Sequence, residues 1–245
     1  MLIIIGASFL FSFIFALGGI GAAVVLVPIL YWLGVPLNQA KPTGLFINTI
    51  SLTGASISNI KEKRLDFKLG IPIIVFSFIF APIGAYFSNY ISHKIVLFIF
   101  MGFLIFSSCV MLFFKSSKYK SNYREDRPFA GLSLLGVVVG FISGLLGVGG
   151  GGLISPVMIM MGFNPKKVAA ITAFVVPFSS LSGFLAYLSM GSVDFRLLFY
   201  VSIAAFLGGY LGTNFMQNKL KPDIVKKILA IILIILAIKL GFKIF

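Results

Sequence analysis

Charge is what this sequence has least of. Six acidic residues, Glu62, Asp66, Glu125, Asp126, Asp194 and Asp223, stand among 245, and charged residues of both signs make up only 11%, against roughly a quarter in soluble domains. Residues 1–40, 69–92, 95–114, 128–165, 168–193 and 197–218 carry no charge at all. Most of these windows exceed the roughly 18 apolar residues that mark a membrane span. A soluble fold could not hide that much apolar surface. All six acids fall in or beside the connections between the windows, which argues against a buried carboxylate relay or carboxylate cation site. Asp66 and Asp194 precede apolar windows and read as helix N-caps.

Cysteine and histidine are nearly absent. The one cysteine, Cys109, lies inside an apolar run, which excludes a disulfide framework and a thiolate metal site and makes it lipid- or core-facing filler. The one histidine, His93, stands beside Lys94 at a segment edge and reads as interfacial. No Ser/His, paired-Asp or metal-ligand set can be assembled at membrane depth from such an inventory. The expectation is a non-enzyme with no catalytic residues, no metal and no cofactor. The net charge of +14 would suggest nucleic acid in a soluble protein. Here the cations cluster in short connections (Lys61, Lys63, Arg64; Lys115, Lys118, Lys120, Arg124, Arg127), where they act as topology signals, so no nucleic-acid partner is expected. Residues 1–17 are apolar but lack the basic n-region of a cleaved signal peptide, and they belong to the repeat that follows.

At a shift of 128 residues the chain matches itself. Phe13, Ile14, Leu17, Gly19, Gly21, Pro28 and Gly34 fall on Phe141, Ile142, Leu145, Gly147, Gly149, Pro156 and Gly162; Asp66 and Phe67 fall on Asp194 and Phe195. With one residue inserted, Ala40, Thr43, Ser51, Leu52 and Gly54 fall on Ala169, Thr172, Ser180, Leu181 and Gly183. Self-similarity of this kind marks two copies of one unit: a first transmembrane repeat over 1–114, a polar cytoplasmic linker over 115–128, and a second repeat over 129–245. Each holds about four apolar segments, at 2–33, 42–60, 69–91 and 95–114, then 129–163, 168–190, 197–217 and 224–242.

The first segment of each repeat is too long for one crossing, about 48 and 52 Å as helix against a hydrocarbon core of about 30 Å. Both are interrupted by glycine, at residues 18–21 and 147–152. Four consecutive glycines weaken a helix by about 1 kcal/mol each relative to alanine, so a break is expected there, with half-helices starting near Ala22 and Leu153. If all eight segments cross, Lys and Arg divide 12 to 8 between the two sides; if segments one and five are re-entrant, they divide 15 to 5. The positive-inside rule favours the second. It leaves three crossings per repeat and so inverts the halves, a common plan for secondary transporters. The expected fold class is an all-α integral membrane protein with two inverted repeats and glycine-broken, re-entrant first segments, multi-pass in the cell membrane.

The glycines carry the chemistry. A helix broken at membrane depth exposes backbone N–H groups and the positive end of a dipole, which hold an anion without a buried cation. This makes Gly19, Gly21, Gly147, Gly149, Gly150, Gly151 and Gly152 candidate substrate-binding residues. Close helix packing through small residues is the competing explanation. The same run satisfies G-x-G-x-x-G, but no strand precedes it and no acid follows before Asp194, so it is not a dinucleotide fingerprint. The second segment of each repeat is rich in hydroxyls and amides, which lipid cannot satisfy; Thr43, Asn48, Thr172, Ser179 and Ser180 are added as candidate substrate contacts, with interhelical hydrogen bonding as the alternative. Alanine at Gly150 or Gly151 is expected to fill solute space while the protein still folds.

The sequence Gly-Leu-Leu-Gly-Val-Gly-Gly-Gly-Gly-Leu-Ile-Ser-Pro at 144–156, its partner Ala-Leu-Gly-Gly-Ile-Gly-Ala-Ala-Val-Val-Leu-Val-Pro at 16–28, and the Ala-x-x-Thr that follows each resemble the TauE/SafE family of sulfite exporter-like permeases. The resemblance spans nearly the whole chain. It implies a permease that moves sulfite, a sulfonate or a related organic or sulfur anion, with a small anionic substrate and the lipid bilayer as partners and a homo-oligomer left open. An intramembrane enzyme, or a transporter of an unrelated small solute, is the alternative function.

Overall fold

The computed structural model describes residues 2–16, 19–113, 123–191, 193, 195–219 and 222–244. Among these, every regular element is a helix: α1 Leu2–Ala16, α2 Ala23–Trp32, α3 Leu37–Lys61, α4 Phe67–Phe87, α5 His93–Phe113, α6 Phe129–Leu146, α7 Gly151–Met160, α8 Pro165–Ser189, α9 Phe195–Lys219 and α10 Pro222–Ile244. Gly18, Lys115, Lys118, Lys120 and Asp194, all used in the sequence reading, lie outside the described residues. Helices α4, α5, α6 and α8 are long and apolar enough to cross a membrane. Leu10, Ile79, Phe199, Ile203 and Ile238 are exposed around the outside of the bundle, a surface that only lipid tolerates at this scale. The chain is an all-α, multi-pass membrane protein.

Each long first segment is divided in two, as the glycines require. The shorter pieces, α2 and α7, have 10 residues each and reach about 15 Å, half the hydrocarbon thickness. The half-helix starts differ slightly from expectation: α2 begins at Ala23, while α7 begins at Gly151, two residues before Leu153. Gly151 and Gly152 sit in the first turn of α7, where the N–H groups need no intrahelical acceptor and glycine does little harm.

Helix pairing follows glycine contacts. In α6, Gly136, Gly140 and Gly144 face Ile73, Ser77 and Ala81 of α4 in that order, so the two helices run side by side in one direction. The same holds for α9 and α1, where Gly208 and Gly212 face Phe9 and Phe13. Helices α4 and α8 also run alike, through Phe67 with Phe174 and Tyr86 with Ser189, as do α3 and α9, through Gly54 with Phe206 and Arg64 with Asn218. By contrast α3 and α8 cross in opposite directions: Leu45 meets Gly183, Asn48 meets Ser180 and Ser56 meets Ala173. Exchanging the two halves turns the α4/α6 pair into α9/α1, α4/α8 into α9/α3, and α3/α8 into itself.

Two sequence expectations need correction. The second segment was expected to begin at 42, but α3 starts at Leu37 with Pro36 at its N-cap, which carries Lys41 into the helix. Asp66 does occupy the N-cap position of α4, yet its side chain makes no cap. The carboxylate instead receives Lys167 Nζ at 3.0 Å and Arg127 Nη2 at 3.3 Å, because two cations outcompete a neutral backbone N–H for one acceptor. Burial alone would raise its pKa, but Lys167 and Arg127 together hold it below the ordinary carboxylate range. Cys109 is exposed on α5, in line with lipid-facing filler, and His93 is the exposed first residue of that helix.

Candidate functional site

Both glycine breaks use left-handed backbone at equivalent places. Gly19 and Gly21 have φ of 67° and 84°, and Gly147 and Gly149 both have φ of 71°; an L-residue would be strained by about 1–2 kcal/mol at each. Their surroundings leave no room for a side chain either. A Cβ on Gly19 would lie 3.1 Å from Ala173 N on α8, and one on Gly149 would lie 2.9 Å from Ser180 Oγ. The two breaks touch each other, since a Cβ on Gly151 would lie 2.7 Å from Ile20 Cα and 2.8 Å from Gly19 O.

Asn48 joins them. Fully buried on α3, it packs on Gly21 of one break and Gly149 of the other. Its Oδ1 accepts from the Ala23 N–H at the start of α2 (3.4 Å), and its Nδ2 donates to Ser180 Oγ on α8 (3.3 Å). The structure thus brings Gly19, Gly21, Asn48, Gly149, Gly151 and Ser180 into one buried cluster.

The breaks differ in how many backbone N–H groups are paired. In the first, Gly19 N donates to Ala16 O, Ile20 N to Phe15 O and Ala23 N to Asn48, while Gly21, Ala22 and Val24 have no acceptor among the described residues. In the second, Gly147 N donates to Ser143 O and the next bonded amide is Leu153 N, to Gly150 O. Among the described residues, no acceptor serves the amides of Val148, Gly149, Gly150, Gly151 or Gly152, and all five residues are buried. Buried amides without partners are rare in folded proteins. Free amides at a helix N-terminus, with the positive end of the helix dipole, are the kind of group that suits an anion. The ion pairs formed by Glu62, Asp66 and Asp126 all lie in connections between helices.

The other candidates contribute less than equivalence between the halves suggested. Thr43 gives its hydroxyl proton to Gln39 O within α3, and Ser179 gives its own to Val176 O within α8. Thr172, the counterpart of Thr43, instead accepts from Ser155 of α7 at 3.2 Å. Gly147 packs on Lys41 of α3, Gly150 on Val139 of α6, and Gly152 on Phe103 of α5. A Cβ at Gly150 would meet the Val139 side chain and one at Gly151 the Ile20 and Gly19 backbone, so alanine there would press on protein atoms as well. A groove of about 270 Å³ opens beside the α3/α8 crossing, lined by Thr49, Thr53, Ser56, Phe174, Pro177 and Leu181 among others. Its hydroxyls donate to backbone carbonyls of Leu45, Thr49 and Ala173, so it presents an apolar wall and no donors.

Sequence reasoning assigned Lys41 to a connection and missed it. It is 4% exposed, and its ammonium donates to Ser88 Oγ at 2.5 Å. The available signal was Pro36, which restricts the residue before it and starts a helix well.

The sulfite exporter TauE/SafE family matches residues 4–240. The chain belongs to the TauE/SafE family. Among its relatives, a probable membrane transporter protein of Methanocaldococcus jannaschii is 31% identical over 95% of this chain and 91% of its own. The probable membrane transporter protein YunE of Bacillus subtilis is 27% identical over 92% and 91%. Sulfite exporter TauE/SafE family protein 6 of Arabidopsis thaliana is 30% identical over 42% of this chain and 25% of its own. No solved structure matches at a significant level. TauE/SafE membership and the names of these relatives support a membrane transporter.

Proposed function

We propose that this protein is a secondary transporter of a small anion, of the sulfite, sulfonate or related organic-anion class, which it holds at the second glycine break. The observation that carries this reading is the row of buried, unpaired amides from Val148 to Gly152. Five N–H dipoles at the head of α7, with no carboxylate beside them, favour a compact oxyanion over a cation or a neutral solute. Asn48 and Ser180 would bind the anion's edge or fix the loop that binds it; Gly149 admits them because it has no side chain. The chain carries no nucleotide-binding motif, so the driving force is an ion or substrate gradient.

The halves are inverted in this reading, and α1–α2 and α6–α7 are re-entrant hairpins. Support comes from directions: α1 and α3 each run alongside α9, so α2 must return between them, and α3 opposes its counterpart α8. The 15 to 5 partition of lysine and arginine supports a cytoplasmic location for the ends of α3 and α5 in a cell-membrane protein. In a Cys109→Ser background, Lys63→Cys and Val193→Cys should label from opposite faces; labelling from one face would restore eight crossings.

The functional test is uptake of labelled sulfite and of a labelled sulfonate into proteoliposomes holding the purified full chain. Saturable uptake of at least one is expected. Uptake no faster than in protein-free vesicles for both, with a neutral or cationic solute transported instead, would end the anion reading.

A further inference from the structure

Lys41 is not needed by the amide site, yet its side chain is buried in the second turn of α3. A lysine at such depth is expensive unless something compensates it. Its only hydrogen-bond partner among the described residues is the hydroxyl of Ser88, itself buried at the end of α4. No carboxylate of a described residue forms an ion pair with it. An ammonium has three donors, so a positive charge and unused donor capacity are held inside the fold. Its place is specific. Lys41 lies seven residues before Asn48 on α3, about 10 Å along the helix, and a Cβ on Gly147 would lie 2.6 Å from Lys41 Cα. The residue therefore abuts the second break on the side away from the lysine-rich ends of α3 and α5.

We propose that Lys41 and Ser88 form a second anion station, on the lysine-poor side of the membrane, where a small oxyanion is held before or after it occupies the amides of the second break. The inference rests on the anion-transport reading and adds a cation to it. The second half has no equivalent, since Lys41 corresponds to Ala170, so the station exists on one side only. Gly147, with no side chain, lets the ammonium's stem pack against the break itself. An anion bound there supplies the counter-charge that the protein does not.

The test is the concentration dependence of labelled sulfite uptake by full-length wild type, Lys41→Met and Lys41→Arg in proteoliposomes, with and without added chloride. Loss of a charge-assisted contact should raise the KM of Lys41→Met by at least about tenfold, while Lys41→Arg stays within about threefold of wild type. Chloride should raise the wild-type KM by competing for the ammonium and leave that of Lys41→Met unmoved. A purely structural lysine would change the amount of inserted protein or the maximal rate and leave KM and chloride sensitivity alone, which overturns the proposal. Should Lys41→Met fail to insert, Ser88→Ala takes its place, with a KM raised about threefold for loss of a neutral partner; an unchanged KM there also overturns it. Wild type that moves no anion at all refutes the transport reading and this station with it, whereas an active wild type and an unaffected Lys41→Met refute the station only.

Discussion

The two glycine breaks are copies that have diverged in one respect. Both put glycine in left-handed backbone at matching positions, both pack on Asn48, and each starts a 10-residue half-helix. The first break pairs Gly19, Ile20 and Ala23 with Ala16, Phe15 and Asn48 and leaves only Gly21, Ala22 and Val24, never more than two in a row, without an acceptor among the described residues. The second leaves five in a row without one. The sequences explain the difference. Where the first has Gly-Ala-Ala-Val at 21–24, the second has four glycines at 149–152, whose backbone has more conformational freedom. Shape is kept in both copies, while the longer unpaired row, to which the proposed anion site is assigned, is in one.

The largest expected effect comes from setting one break against the other. Gly149→Ala and Gly19→Ala should destabilise alike, by about 1–2 kcal/mol from the left-handed backbone plus their clashes. Only Gly149→Ala pushes on Asn48 and Ser180 inside the unpaired row, and its KM for sulfite should rise on the order of 100-fold, against less than about threefold for Gly19→Ala. Equal changes in KM would erase the distinction. Asn48→Ala comes next: it strips the Ala23 N–H of its acceptor, costing about 1–3 kcal/mol of stability, and raises KM about tenfold. Ser180→Ala, which removes one hydroxyl, should cost about 1 kcal/mol or less.

Glycines outside the breaks sharpen the comparison by behaving differently. Alanine at Gly140 would place its Cβ 2.6 Å from Ser77 Cα, and at Gly212 it would lie 2.8 Å from Phe13 C. Both should lower thermal stability by about 1–3 kcal/mol through overpacking and leave KM for sulfite unchanged in the protein that survives. A shifted KM in either would tie the helix seams to the site.

The smallest effect is electrostatic. Asp66, whose pKa is lowered by Lys167 and Arg127, adds stability that is fully present above the ordinary carboxylate range and is lost only as pH falls below it. Asp66→Asn should therefore cost less than about 1 kcal/mol at neutral pH, since exposed ion pairs are weak. The pH profile of transport between 5 and 8 should not move; a flattened profile with normal expression would show that this carboxylate carries protons.

How much was legible in the sequence varies by residue. The breaks were, because glycine runs have few other uses in an apolar segment; the seam of Gly136, Gly140 and Gly144 against α4 was seen only in the structure. Asn48 could be picked out as polar at depth, but not as the bridge between two breaks 128 residues apart in sequence, since that juxtaposition depends on the α3/α8 crossing. Thr43 and Thr172 looked equivalent and are not, because a threonine can bond its own helix and only packing decides whether it does. Lys41 was missed because a charge near a proline reads as a loop. Asp66 was misread as a cap because its competitors, Arg127 of the linker and Lys167 of the second repeat, are distant in sequence.

The central claim is that the amides of the second break, and not those of the first, bind the transported anion. Glycine-selective ¹⁵N labelling in lipid, followed by NMR during titration with sulfite, observes both breaks at once. The account predicts saturable amide shifts at Gly149, Gly150, Gly151 and Gly152 with the concentration dependence of transport, and none at Gly19 or Gly21. Shifts confined to the first break, or an unmoved second break in protein that transports sulfite, would contradict it.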